Sequence, residues 1–237
     1  MEKISTGSLA LDQFLEGGYE KDVITTLYGP GGSGKTNLCL MAAVNVAKSG
    51  KKVIFLDTEG GFSVDRLNQL TSESVLKNIL LLKATSFAEQ QDLFVKLLGE
   101  VNSNLGLIIV DSMVMMYRLE LGLARESQNH ARITTVNRSM SRQLRILSEI
   151  SRKRNIPVII TDQVYSNFSK DAEITGREVH MVGGDLLKYW SKCIIELKRS
   201  TDSKRRLVLR KHRSIPEKEF GFYVVNEGIE KVGFRLF

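Results

Sequence analysis

The chain of 237 residues contains two cysteines, three prolines, three histidines and one tryptophan. Both cysteines stand beside apolar residues, which favours buried thiols over a disulfide framework. No His or Cys spacing indicates a zinc site, and no Ser/His/Asp set indicates a hydrolytic triad. The N-terminus lacks an apolar signal region, and no apolar run approaches the ~18–20 residues of a membrane helix. We therefore expect a soluble, cytoplasmic protein.

Charge is the first positive signal in the sequence. The net charge is +7, from 34 basic and 27 acidic residues, in a chain whose 42% apolar content is ordinary for a globular protein. This excess alone is weak support for a polyanionic partner. The run Lys198–Arg213 is a stronger signal, because it holds eight Lys or Arg residues against one Asp. It indicates either a nucleic-acid contact or a solvated hairpin whose charges aid solubility.

The sequence GPGGSGKT at residues 29–36 lies between an apolar stretch and an apolar helix-like segment. Strand, glycine loop and helix in this order form a P-loop, whose backbone N–H groups surround phosphates. Lys35 should reach the β- and γ-phosphates, and the hydroxyl of Thr36 should bind Mg²⁺. The predicted nucleotide-binding residues here are Gly29, Pro30, Gly31, Gly32, Ser33, Gly34, Lys35, Thr36 and Asn37.

Apolar runs and helical periodicities alternate along the chain, which indicates a mainly parallel sheet flanked by helices. After about residue 190 the pattern changes to an antiparallel β extension. The fold class is therefore α/β, and we expect residues 1–237 to form a single domain. Strands are predicted at 24–28, 52–56, 79–82, 107–110, 157–161, 193–198, 206–211 and 220–225, and helices at 35–48, 64–70, 87–101 and 127–154.

Polar residues follow three of the predicted parallel strands, where ligands of open α/β sheets bind. Asp111 ends an apolar strand, as in the Walker B pattern, and would hold Mg²⁺. Glu59 is the candidate base for the attacking water; Asp57 is the alternative, although it could instead cap the next helix. Gln163 could contact the γ-phosphate or the water. The predicted catalytic set is Lys35, Glu59 and Gln163.

These motifs resemble those of RecA-type ATPases, and specifically the archaeal and eukaryotic recombinases and the short paralogues of archaeal RadA. The resemblance implies a RecA-like fold, ATP and Mg²⁺ as ligands, and DNA as a partner. It is carried by the segments Ile4–Gly18, Tyr28–Thr36, Phe55–Leu67, Leu107–Arg118 and Ile159–Val164, and by the pair Gly183-Gly184.

The resemblance also assigns finer roles. Arg66 matches the arginine that stacks on adenine, although a solvated helix residue is an equally good interpretation. Asp162 departs from the family's usual Asn. Residues 211–217 match the acidic ATP cap that a neighbouring subunit lends, but only Pro216-Glu217 resembles it, so we expect slow hydrolysis. Because the core begins by Ile4, we expect no helix-hairpin-helix domain or docking linker, and hence a monomer or small oligomer.

Three elements could contact single- or double-stranded DNA: the segment after Asp111, a long polar loop at 166–182, and the basic hairpin. A Lys-His-Arg run in the hairpin resembles a DNA-contacting feature of the short paralogues. The predicted DNA-binding residues are Arg118, Lys170, Arg177, Lys204, Arg205, Arg206, Lys211, His212 and Arg213.

The resemblance thus implies a DNA repair and recombination protein. We expect an accessory or regulator that binds ATP and DNA, hydrolyses ATP weakly and assists the main recombinase RadA or a branched-DNA nuclease. Two alternatives stay open: an active DNA-dependent recombinase, and a KaiC-like signalling ATPase that binds proteins.

Overall fold

The computed structural model describes residues 2–72, 74–164, 181–200 and 203–233. The strands in this part of the chain are β1 (Lys3–Ile4), β2 (Tyr19–Glu20), β3 (Ile24–Gly29), β4 (Lys52–Asp57), β5 (Ile79–Lys83), β6 (Leu105–Asp111), β7 (Val158–Gln163), β8 (Ser191–Arg199), β9 (Arg205–Lys211), β10 (Lys218–Val225) and β11 (Gly228–Lys231). The helices are α1 (Leu9–Phe14), α2 (Lys35–Lys48), α3 (Val64–Leu70), α4 (Phe87–Glu100), α5 (Met115–Glu126), α6 (His130–Arg154) and α7 (Gly184–Trp190), with a short 3₁₀ turn at Leu76–Asn78.

A nine-stranded sheet forms the centre of the structure, in the order β11-β10-β9-β8-β3-β7-β6-β4-β5. Strands β3 to β7 pair in parallel, and β8 also runs parallel to β3. From β8 to β11 neighbouring strands pair antiparallel. Strands β1 and β2 form a separate antiparallel pair. The predicted fold class, a mainly parallel sheet with an antiparallel extension, is confirmed.

The apolar runs of the central strands bury both faces of the sheet, as parallel strands require. One face packs against α4, α5 and α6, through residues such as Phe94, Leu121 and Leu144. The other face packs against α1 and α2, where Leu38 and Ala42 are buried. These layers fix the strands so that their carboxyl ends share one edge. Among the described residues, no helix is both long and apolar enough to cross a membrane.

The segment after Asp111 contains a helix that was not among the predicted elements, α5 at Met115–Glu126. Its predicted contact with DNA stays a prediction. The buried Met116, Tyr117, Leu121 and Ala124 of α5 have the three-to-four spacing of an amphipathic helix. A positive φ of 51° at Gln128 separates it from α6, which Asn129 caps by accepting the Arg132 amide at 2.9 Å.

The sheet also gains a strand that the sequence reading omitted. Gly228–Lys231 forms β11, which pairs with β10 across the turn at Asn226-Glu227. The turn itself was anticipated, but the four residues after it are too few to show an alternating pattern. The turn of this hairpin accepts hydrogen bonds from Arg66 of α3.

Candidate nucleotide site and basic surfaces

The carboxyl ends of β3, β4, β6 and β7 bring the sequence-predicted site residues together. In the strand register, Gly29 lies opposite Gln163 and Asp57 lies opposite Asp111. Because these strands are parallel neighbours, polar groups separated by more than a hundred residues meet at one edge. This edge also holds the P-loop, which connects β3 to α2.

The backbone of the loop is shaped for close approach. A Cβ atom at Gly29 would lie 2.2 Å from the carbonyl oxygen of Leu197 on β8, so only glycine fits there. Gly34 has φ 104°, a left-handed conformation that starts α2 without a side-chain cap among the described residues. The N–H groups of the first helical turn therefore lack side-chain acceptors and can bind an anion. The hydroxyl of buried Ser33 also lacks a hydrogen-bond partner among the described residues.

Lys35 lies folded over the loop. Its Nζ donates to the carbonyl oxygens of Gly29 at 2.9 Å and Pro30 at 3.0 Å. Burial lowers the pKa of Lys35, while the carboxylates of Glu59 and Asp111 oppose that change. An ammonium group has three protons, so one stays available for a phosphate without loss of the two loop contacts.

Thr36 and Asp111 form the oxygen pair expected for Mg²⁺. The Thr36 hydroxyl donates to Oδ2 of Asp111 at 2.6 Å, and the Thr161 hydroxyl donates to Oδ1. Burial raises the pKa of Asp111, and these two hydroxyl groups oppose the rise. A carboxylate beside a hydroxyl suits a hard cation, so the residues present fit Mg²⁺. This carboxylate is already oriented by its two donors.

Turn geometry distinguishes Glu59 from Asp57. Asp57 is 2% exposed, and its carboxylate accepts the backbone amides of Glu59, Gly60, Gly61 and Phe62 at 2.8–3.2 Å. These four hydrogen bonds occupy the carboxylate of Asp57 and shape the turn, so Asp57 is a poor candidate for a base. Glu59 is half-buried, and burial followed by the Asp111 charge raises its pKa. A higher pKa makes a carboxylate a better proton acceptor, which favours Glu59.

Gln163 and Asp162 follow on β7. The Gln163 amide lies over the loop, with Nε2 3.4 Å from the position that a Cβ on Gly31 would occupy. Gln163 also shares a narrow cleft with Glu59, Ser112 and Arg118. Asp162 is 0% exposed, and no described residue makes a well-formed hydrogen bond to its carboxylate, although the Val182 amide lies nearby. Burial raises its pKa to about 7.

Arg66 is a brace between secondary-structure elements. Its Nε donates to the Asn37 side chain at 2.8 Å, and its Nη atoms donate to the carbonyl oxygens of Val225 at 2.7 Å and Asn226 at 2.9 Å. These bonds join α2 and α3 to the β10–β11 turn and fix the plane of the guanidinium group. Adenine stacking by Arg66 and nucleotide contact by Asn37 stay predictions.

The predicted DNA-binding residues are distributed over several surfaces. Arg118 on α5 lies in the cleft with Glu59 and Gln163, on the nucleotide side. Lys170 and Arg177 lie outside the described residues. Lys204 and Arg206 line a groove with Tyr223 and Lys231, where Arg206 also pairs with Glu219 at 3.2 Å. Arg205 points the other way, and its Nε donates to the Gly32 carbonyl oxygen at 3.2 Å.

The Lys211-His212-Arg213 run is occupied by contacts within the chain. The side chain of His212 is 2% exposed, and its Nδ1 accepts the amides of Ser214 and Ile215, both at 3.2 Å. Arg213 donates to Glu20 at 2.8 Å and to Asp22 at 2.9 Å, and Lys211 donates to the Lys188 carbonyl oxygen at 2.6 Å. Arg213 thus joins the β9–β10 turn to the N-terminal segment, and Lys211 joins the end of β9 to α7.

The structure also contains a basic groove that was not predicted from the sequence. It has a volume of about 800 Å³ and lies between α6 and the start of α7, where Arg138, Arg142 and Arg145 face Gly183, Gly184 and Trp190. The arginines recur at intervals of four and three, which places them on one helix face. They lie opposite the buried apolar stripe of the same helix, which includes Val136, Met140 and Leu144.

Comparison with known proteins places this geometry in context. The sequence profile of the Rad51 family matches residues 1–232. The chain is 38% identical over 235 residues to the DNA repair and recombination protein RadB of Methanobrevibacter smithii, covering 96% of this chain and 95% of that protein. It is also 38% identical to the protein of that description from Methanocaldococcus jannaschii, covering 93% and 98%. A crystal structure described as the RadB recombinase superposes with a TM-score of 0.78 at 35% identity, covering 97% of this chain and 99% of that one.

Proposed function

This chain belongs to the Rad51 family and, within it, to the RadB group, and from that premise we propose a DNA repair and recombination protein that binds ATP, Mg²⁺ and DNA. One observation carries the nucleotide part of the proposal. The ends of β3, β4, β6 and β7 gather Lys35, the Thr36–Asp111 pair, Glu59 and Gln163 around one phosphate loop. The site thus combines a positive charge, a pair of oxygen ligands for a metal, a base and an amide, which are the groups that ATP hydrolysis needs.

Each side chain contributes a distinct step to ATP hydrolysis. Lys35 and the first turn of α2 bind the phosphate oxygens and orient them. Thr36 and Asp111 would hold Mg²⁺, which would neutralise charge on the phosphates. Glu59 accepts the proton of the attacking water, and its raised pKa suits that task. Gln163 orients the water or contacts the terminal phosphate, since its amide can donate and accept.

Slow turnover is the second part of the proposal. By resemblance, residues 211–217 correspond to a cap lent to the site of a neighbouring subunit. Here His212 is buried against Glu20, Arg213 pairs with Asp22, and Glu217 pairs with Arg210 in the same chain. A segment that is bonded within its own subunit is poorly placed to complete the ATP site of a neighbouring subunit. This supports weak hydrolysis.

Weak hydrolysis supports an accessory role in which ATP acts mainly as a conformational ligand. An accessory protein of this kind would work as a monomer or small oligomer beside the main recombinase RadA. A branched-DNA nuclease is the other partner that we propose, and both partners follow from family membership alone.

DNA binding is assigned to the basic groove on α6 and to the outer face of the hairpin. Arg138, Arg142 and Arg145 line the groove, and Lys204 and Arg206 lie on the hairpin. Arginine contacts to phosphates carry no base information, so binding should lack sequence preference and weaken steeply with salt.

The decisive experiment measures steady-state ATP hydrolysis with and without single-stranded DNA, with DNA binding recorded in the same samples. Slow hydrolysis that bound DNA leaves unchanged supports the accessory role. Strong stimulation by DNA would instead support an active recombinase. Absence of DNA binding at low salt would favour a protein-binding signalling ATPase. Arg142→Ala should weaken DNA binding, while Arg154→Ala, at the end of α6 outside the groove, serves as the matched control.

A further inference from the structure

The hairpin between β8 and β9 lies against the P-loop. Arg199 and Arg205 are opposite each other in the strand register, at the end of the hairpin nearest the loop. The Nε of Arg205 donates to the Gly32 carbonyl oxygen at 3.2 Å, and its Nη1 donates to the Ser203 carbonyl oxygen at 3.1 Å. One guanidinium group therefore joins the hairpin turn to the phosphate loop.

The close approach involves more than one hydrogen bond. A Cβ atom on Gly32 would lie 3.5 Å from Nη1 of Arg199, and a Cβ on Gly34 would lie 3.5 Å from Cδ of Arg205. Both arginines thus lie against the backbone of the loop at two of its glycines. Glycine has the largest conformational entropy to lose on ordering, so contacts that restrict these residues reduce the cost of ordering them around phosphates.

The neighbouring arginine faces away. Arg206 pairs with Glu219 at 3.2 Å on the other face of β9, since successive side chains of a strand alternate. The basic run thus divides by position: Arg205 contacts the P-loop, and Arg206 contacts the outer groove. Arg205 also adds positive charge beside a site that binds a polyphosphate.

We propose that Arg205, supported by Arg199, is a positioning residue that holds the P-loop in the geometry that binds the triphosphate. The inference rests on the proposed ATP-binding function and deepens it. It assigns Arg205, which the sequence predicted to bind DNA, to the nucleotide site. The residue that positions the P-loop then belongs to the same subunit as the loop.

The test compares two adjacent arginines whose replacement changes the charge equally. Binding of Mg–ATP is titrated by fluorescence with wild type, Arg205→Ala and Arg206→Ala, and melting temperatures are measured without nucleotide. Arg205→Ala should weaken ATP binding about fivefold, the factor that corresponds to a hydrogen bond of about 1 kcal/mol. Arg206→Ala should stay within about twofold of wild type, because a surface ion pair contributes little. The melting temperatures show that both nucleotide-free variants are folded at the temperature of the titration.

Equal ATP affinities for the two variants would refute the proposal that Arg205 positions the P-loop. If Arg205→Ala fails to fold, Arg205→Lys and Arg206→Lys decide instead: both keep the charge, and only the first should lower ATP affinity. Lys35→Ala separates this inference from the proposed function. A wild type that binds no ATP refutes both, whereas ATP binding that depends on Lys35 but not on Arg205 refutes only the positioning role of Arg205.

Discussion

We expect Asp162 to make the stability of the protein depend on pH. Burial raises its pKa from the ordinary 3.8 to about 7, although the nearby Val182 amide and the charge of Lys35 oppose the rise. The folded state therefore keeps the proton up to about pH 7, while the unfolded state releases it near pH 4. Stability should fall as pH rises between these values, because folding then requires either proton uptake or burial of a charge.

The magnitude follows from the two pKa values. The whole gap corresponds to about 4 kcal/mol, since each pKa unit is worth about 1.4 kcal/mol. Between pH 5 and pH 8, where the folded protein can be handled, the loss of stability is about 2–3 kcal/mol. Asp162→Asn removes the titrating group and restores the residue type that the family usually has there.

The assay is urea denaturation of the nucleotide-free protein at pH 5, 6, 7 and 8. Relative to wild type, the free energy of unfolding of Asp162→Asn should increase by about 2–3 kcal/mol from pH 5 to pH 8. Any constant cost of burying the amide cancels in this comparison. Asp92→Asn, at an exposed position of α4, controls for the general effect of removing a carboxylate. A wild-type minus Asp162→Asn difference that stays constant across pH would refute the reasoning.

Three further predictions concern single side chains. Glu59→Gln should retain ATP binding but lower the hydrolysis rate about 100-fold or more, since a positioned base contributes that much; unchanged turnover in a phosphate-release assay would exclude Glu59 as the base. Arg66→Ala should lower the free energy of unfolding by about 1–2 kcal/mol through loss of the bonds to the β10–β11 turn, and a loss of adenine-nucleotide affinity beyond that seen with inorganic triphosphate would indicate stacking as well. His212→Ala should cost about 1–3 kcal/mol because two amides lose their acceptor, with DNA affinity unchanged in a fluorescence-anisotropy titration; a loss of DNA affinity at full stability would contradict the intramolecular role.

The candidate nucleotide site could be predicted from the sequence because its motifs are local. The P-loop is one continuous segment, and Asp111 and Gln163 each end an apolar run. Parallel pairing then brings such ends to one edge of a sheet without further information. The same reasoning gave the fold class, since alternating periodicities leave few possible architectures.

Choices between neighbouring residues needed coordinates. Asp57 and Glu59 are both acids at the end of β4, and the four backbone amides that Asp57 accepts distinguish the residue that shapes the turn from the proposed base. Arg66 is similar, because its acceptors at Val225 and Asn226 lie about 160 positions away along the chain. Helix α5 differs from these cases, because its apolar residues have helical spacing in the sequence. Its position after Asp111 favoured the interpretation as a DNA segment instead.

The basic run shows why charge in a sequence does not identify a partner. Along β9, residues two apart share a face, so Arg205 and Arg206 must contact different surfaces whatever their common charge. Beyond the strand, Arg213 finds Glu20 and Asp22, acids that are distant in sequence. A count of eight basic residues thus divides into a brace for the P-loop, an outward groove and an internal tie. Of these three parts of the run, we propose that the outward groove contacts DNA phosphates together with the arginines of α6, so replacing Lys204 or Arg206 should lower DNA affinity without altering ATP binding.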